Sequence, residues 1–226
     1  MRNARRLLFV LAVLCTAGCG PRPVEDTTSA SAAGLVRLPC RAEVNLKAAH
    51  SNYCTLDRNW VTPDAQAVMR DAAAQVAAAH PGAVVHYMEA SWPSAQRPMP
   101  PHLSHGDGRQ IDVALFYETS KAAPLPRPPT PSGYYAFEPM RDGDFDPCVG
   151  VKRPGNNRSP PADRNWRLDE ERTRTLIAAL LADNRVRRLL LEPHLKARLG
   201  FANEARIRFP GCNTLRHDGH VHVDVR

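Results

Sequence analysis

Apolar and polar residues alternate from Val84 to Ala90, with Val85 and Tyr87 on one side and His86 and Met88 on the other, a period of two that predicts a strand. The segment before it has a different grammar. Thr62-Pro63-Asp64 supplies an N-cap, a first-turn proline and an acid suited to a helix dipole, an alanine-rich stretch runs to His80, and Pro81-Gly82 stops it. This predicts a helix. Ile111 to Phe116 reads as a second strand, with Ile111, Val113 and Leu115 facing one way and Asp112 the other.

From Glu118 to Trp166 prolines and glycines recur so densely that regular structure is not expected, and such a stretch reads as a long Pro-rich loop insertion. Its Tyr134, Tyr135 and Phe137 could wall a substrate site. A helix is expected from Asp169-Glu170-Glu171 onward, its apolar stripe formed by Leu176, Ile177 and Leu180. Val186 to Leu191 reads as a strand, Pro193 to Leu199 as a short helix stopped by Gly200, and Gly219 to Val225 as a last strand. No internal repeat is seen. The order predicts an α+β fold, an antiparallel sheet with flanking helices.

The N-terminus changes the picture of where the protein works. Arg2, Arg5 and Arg6 precede an apolar run from Leu7 to Leu14, then Thr16-Ala17-Gly18-Cys19, the pattern of a secretion signal. The small residues before Cys19 resemble a bacterial lipobox. The expectation is a lipoprotein signal peptide over residues 1–18, lipidation at Cys19, a flexible tether over 19–34 and one folded domain over 35–226. Ordinary cleavage nearby, giving a soluble exported protein, stays open because Thr16 departs from the usual residue. The expected location is periplasmic, anchored to the outer membrane through the lipid.

Charge and cysteine usage agree with export. Removal of residues 1–18 takes away three arginines and no acids, lowering the formal charge from +7 to +4, and no basic run with interleaved aromatics remains, so nucleic acid is not an expected partner. Cys40, Cys54, Cys148 and Cys212 remain in the domain, an even number suited to an oxidising compartment. Of the three possible pairings, Cys40 with Cys54 and Cys148 with Cys212 is preferred. A cysteine zinc site is disfavoured because no CxxC occurs.

The candidate chemistry lies in two histidine clusters. His102-Leu-Ser-His105 runs on to Asp112, and His217-Asp-Gly-His220-Val-His222 stands near the C-terminus, together holding five of the nine histidines. In an extended strand His220, His222 and Asp224 share one face, left open, while Val221, Val223 and Val225 bury the other. Gly108 lets the chain bend so that His105 and Asp112 converge, and Asp107 is chiefly a turn residue. Imidazole and carboxylate are suitable zinc donors, and a catalytic site needs three plus an open position. Geometry leaves two assignments, with His220 and His222 both ligands or one of them a base. Asp224 is either an orienting group or a surface carboxylate.

His102-x-x-His105-x-x-Gly108-x-x-x-Asp112, followed by His217-x-x-His220-x-His222, resembles the pattern of penicillin-insensitive murein endopeptidases, zinc D,D-peptidases of the Hedgehog-type fold, a group that includes D-Ala-D-Ala carboxypeptidases. Leu103, Gln110 and the His-x-His ending depart from the carboxypeptidase branch and favour the endopeptidase branch. The resemblance implies one zinc ion per chain held by His105, Asp112 and His222. It also implies His220 as general base, and His102 and His217 as substrate-binding groups or supports of the ligands. It further implies hydrolysis of D-alanyl to meso-diaminopimelate cross-links in peptidoglycan stem peptides, blocked by chelators and not by β-lactams. The alternatives are a D-Ala-D-Ala carboxypeptidase, with Arg109 or Arg216 taking the terminal carboxylate, and a non-catalytic zinc-containing lipoprotein that binds wall peptides.

Overall fold

In the computed structural model, residues 26–43, 45–100, 102, 104–130, 132, 138–154 and 164–226 are described. The proposed signal, Cys19, Leu103, Tyr134, Tyr135 and Phe137 lie outside them. In chain order the elements are β1 (Val36–Arg37), β2 (Leu46–Ala48), α1 (Asn52–Thr55), β3 (Trp60–Val61), α2 (Pro63–Ala79), β4 (Val85–Tyr87), β5 (Gln110–Ala114) and β6 (Tyr117–Thr119). There follow β7 (Trp166–Leu168), α3 (Glu170–Ala182), β8 (Val186–Leu190), α4 (Pro193–Arg198), β9 (Ile207–Arg208) and β10 (His220–Val225).

The fold is mixed α+β around a six-stranded sheet of order β2-β4-β5-β10-β8-β9. Its centre is antiparallel, as the sequence predicts, but β2 lies parallel to β4 and β9 parallel to β8, so the sheet is mixed. The reason is connectivity, because each parallel neighbour is reached through a helix-containing crossover, α1–β3–α2 on one side and α4 on the other. Short pairs β1–β3 and β6–β7 complete the structure.

The helices form where the caps stand. Thr62 Oγ1 accepts from the Ala65 N–H at 3.2 Å and Asp169 Oδ1 from the Arg172 N–H at 3.0 Å, each worth about 1 kcal/mol. Val68, Met69, Ala72 and Val76 of α2, with Leu176, Ile177 and Leu180 of α3, share one core with Val221, Val223 and Val225 of β10 and Ile111 and Val113 of β5. That core fills one face of the sheet and leaves the histidine face to the other side.

Two findings depart from the sequence expectation. The tether is anchored from Thr27, whose carbonyl accepts from Gln66 Nε2 at 2.9 Å and whose hydroxyl accepts from Arg70 at 2.9 Å. The Pro-rich stretch is not irregular at its ends, since β6 and β7 pair Tyr117 with Leu168 and Thr119 with Trp166, closing the insertion at its base. Among the described residues no helix is long and apolar enough to cross a membrane.

Candidate metal centre

The site is assembled by the pairing of β5 with β10. Their register sets His222 opposite Asp112 and His220 opposite Ala114, so both histidines and the carboxylate fall on one face near the middle of the sheet. The loop carrying His105 is seated by glycines. Gly106 (φ +133°) lies so close to the Gln96 carbonyl that a Cβ would collide, and a Cβ on Gly108 (φ +78°) would meet Leu35 at 2.7 Å and Thr62 N at 3.0 Å.

Asp112 is the hub. Its Oδ1 lies 2.9 Å from His222 Nδ1 and 3.3 Å from His105 Nε2, and its Oδ2 lies 3.9 Å from His220 Nε2. His105 is fixed from behind, its Nδ1–H donating to the Ala90 carbonyl at 2.9 Å, which turns Nε2 toward Asp112. Burial raises the Asp112 pKa, but the neighbouring imidazoles outweigh it and hold the carboxyl well below its ordinary value. Burial opposes protonation of His105, yet Asp112 wins there and the pKa is raised. Burial instead holds His220 down to about 3 and His217 down to about 4, so both rings are neutral.

Part of this cluster could hold a metal ion. Donor atoms around a tetrahedral ion at about 2.0–2.1 Å sit roughly 3.3 Å apart. The separations from Asp112 Oδ1 to His105 Nε2 and His222 Nδ1 are close to that value. Among the described residues the group that could hold a metal ion is His102, His105 and Asp112, whose donor atoms all lie within 4.8 Å of one another; it shares His105 and Asp112 with the set expected from sequence and has His102 where that set has His222. His102 is engaged by a carboxylate that the sequence pattern does not single out. Its Nε2–H donates to Glu89 Oε2 at 3.2 Å, while Arg58 Nη1 donates to Glu89 Oε1 at 2.7 Å. An acid at the end of an otherwise apolar strand segment is the one signal for it.

The expected open face is covered. His105, His220 and His222 are 1–2% exposed. Residues 210–217 fold over them, and together with Pro154 of the insertion, His102, Ser104, Asp112 and Leu190 they enclose a cavity of about 390 Å³. His217 and His222 line this cavity. His220 does not, and its ring lies behind that of His217, 4.7 Å away centre to centre.

Other expected residues are elsewhere. Asp224 is taken by other partners: Arg188 holds it at 2.9 Å, Gln110 donates to it at 3.2 Å and Arg187 also pairs with it. Arg216 pairs with Asp218 at 2.6 Å, Arg109 stands immediately before β5, and neither lines the cavity. Asp107 serves its turn, accepting from Arg109 N at 3.1 Å and pairing with Arg97 at 2.7 Å. Cys40 is bonded to Cys54 and Cys148 to Cys212, the pairing preferred from sequence. No protein-family model matches the chain and no curated protein matches it significantly, so the reading of this centre stands on its own geometry.

Proposed function

We propose that this protein is an exported zinc hydrolase of peptidoglycan that cleaves D-alanyl to meso-diaminopimelate cross-links, a murein D,D-endopeptidase of Hedgehog-type fold. The observation that carries it is the gathering of His105 Nε2 and His222 Nδ1 on Asp112 Oδ1, beside a metal-capable group of His102, His105 and Asp112. His105, Asp112 and His222 would hold zinc, which when bound supplies Lewis-acid polarisation and a water of lowered pKa. His220 would take a proton from the attacking water and return it to the leaving amine. His217 and His102, on the cavity wall, orient the peptide. The two disulfides support work in an oxidising compartment, and the proposal includes the outer-membrane lipid anchor at Cys19.

The cavity lining favours an endopeptidase over a carboxypeptidase. Among the described residues it contains no Arg or Lys to take a terminal carboxylate. The test is chromatography of cross-linked muropeptides with zinc or chelator, alongside metal analysis of three variants. Dimers should become monomers only with zinc. His222→Ala should lose zinc and turnover together, and His220→Ala should keep zinc and lose turnover. Equal zinc loss in those two variants refutes the base assignment, and His217→Ala retaining zinc as the only inactive variant moves the base to His217. Loss of a terminal D-Ala from pentapeptides, with dimers intact, would give the carboxypeptidase instead.

A further inference from the structure

Arg153 of the insertion reaches the loop that covers the histidine cavity. Cys148 of the insertion is bonded to Cys212 of the covering loop, which brings Arg153 against residues 211–217. Arg153 Nη1 and Nη2 donate to Glu192 Oε2 and Oε1 at 2.8 and 2.9 Å, a two-pronged pair at the start of α4 with Glu192 almost wholly buried. The same guanidinium donates to the carbonyls of Leu215 at 3.2 Å, Thr214 at 3.4 Å and Gly211 at 3.5 Å.

Both restraints on His217 lead back to this group. The His217 N–H donates to Glu192 Oε1 at 2.9 Å, the oxygen that Arg153 Nη2 holds. The His217 ring Nδ1–H donates to the Leu215 carbonyl at 2.9 Å, which Arg153 Nη2 also holds. The Glu192 N–H returns a bond to the His217 carbonyl at 3.2 Å. The next residue, Pro154, lines the cavity with His217.

We infer that Arg153, acting through Glu192 and the Leu215 carbonyl, is the positioning residue for His217, and that it holds the neighbouring Pro154 in the wall of the substrate cavity. The inference rests on the proposed hydrolase reading for its consequence in turnover, but not for its geometry. A donated Nδ1–H to a carbonyl selects one tautomer of His217, and that tautomer leaves an Nε2 lone pair as the ring's acceptor.

The test is nitrogen-detected NMR of the histidine tautomers in the full chain, with zinc affinity by titration calorimetry and muropeptide kinetics on the same samples. In the unmodified protein His217 should show a single Nδ1–H tautomer. Arg153→Gln should lose that signature and lower turnover roughly 10- to 100-fold through kcat, because a catalytic-site group is misplaced. Its zinc affinity should stay within about threefold, since no ligand touches Arg153. Retention of the Nδ1–H tautomer in Arg153→Gln overturns the inference. Should that variant not fold, Arg153→Met combined with Glu192→Met removes both charges together and leaves none unpaired. The double variant should lose the Nδ1–H tautomer in the same way, and its retention there overturns the inference equally. Absence of zinc binding or cleavage in the unmodified protein would sink the hydrolase reading while leaving the tautomer result to decide on Arg153.

Discussion

The two halves of the histidine site use the same side chain but are held in different ways. His102 and His105 are fixed by their immediate neighbours in the sheet, Glu89 and the Ala90 carbonyl, on the extension of the strand next to β5. His217 is fixed from a distance, by an arginine 64 residues earlier that reaches the loop through a buried ion pair and lies five residues beyond a disulfide. Asp112 touches both halves, and the His105 and His222 rings meet edge to face, 4.9 Å between centres. A site can therefore borrow rigidity from its own sheet on one side and import it from an insertion on the other.

Removing Asp112 should abolish the distinction altogether. Asp112→Ala takes the common partner from His105, His220 and His222, so metal analysis should find no stoichiometric zinc and muropeptide cleavage should fall to background. The metal-free protein should lose about 3 kcal/mol in denaturant unfolding, the order expected when a buried charged partner is deleted. Stoichiometric zinc in that variant would move the centre to other residues.

The disulfides sharpen the contrast. They are separated by 64 and 14 residues, so loss of Cys148–Cys212 should cost about 4 kcal/mol and loss of Cys40–Cys54 about 3 kcal/mol. Paired serine replacements unfolded in urea measure both. Only the Cys148→Ser/Cys212→Ser protein should also disturb the His217 tautomer. If the other pair does so as well, the two halves are not independently braced.

Acid, by contrast, should treat the halves alike. Burial raises the pKa of Glu89 and of Glu192, but His102 with Arg58 outweighs it at the first and Arg153 with the His217 N–H at the second, so both lie below the ordinary 4.5. Carboxylates with depressed native pKa values contribute stability that is present above pH 4.5 and lost as pH falls through the native values. Glu89→Gln and Glu192→Gln should each cost about 1–3 kcal/mol at neutral pH and flatten the acid limb of stability against pH. Urea midpoints from pH 7 to pH 3 check this, and an acid limb unchanged in either variant would deny that carboxylate its part.

Sequence alone made the first half of this picture legible. The valine and histidine alternation of residues 220–225 fixes which side chains share a face, and the glycines around His105 announce a bend that only they can make. It could not show what lies on that face, because the cover comes from residues 210–217 and Pro154, brought there by contacts that leave no periodic trace. Asp224 illustrates the limit. It shares the face of His222, but two residues of strand carry it about 6.8 Å further, where Arg188 of the neighbouring strand stands opposite and takes it. Parallel edge strands were likewise invisible, since alternation carries no direction.

Asp112 and His222 are 110 residues apart and meet only when β5 and β10 pair. Pairings of that span close late and slowly, since the loop entropy is lost before the contacts form. Until they close, the emerging chain carries His105 and Asp112 without the histidines that complete the centre. A centre that draws on both strands is thus complete only when the sheet is complete, and metal uptake followed during refolding would report that last pairing and not the early collapse.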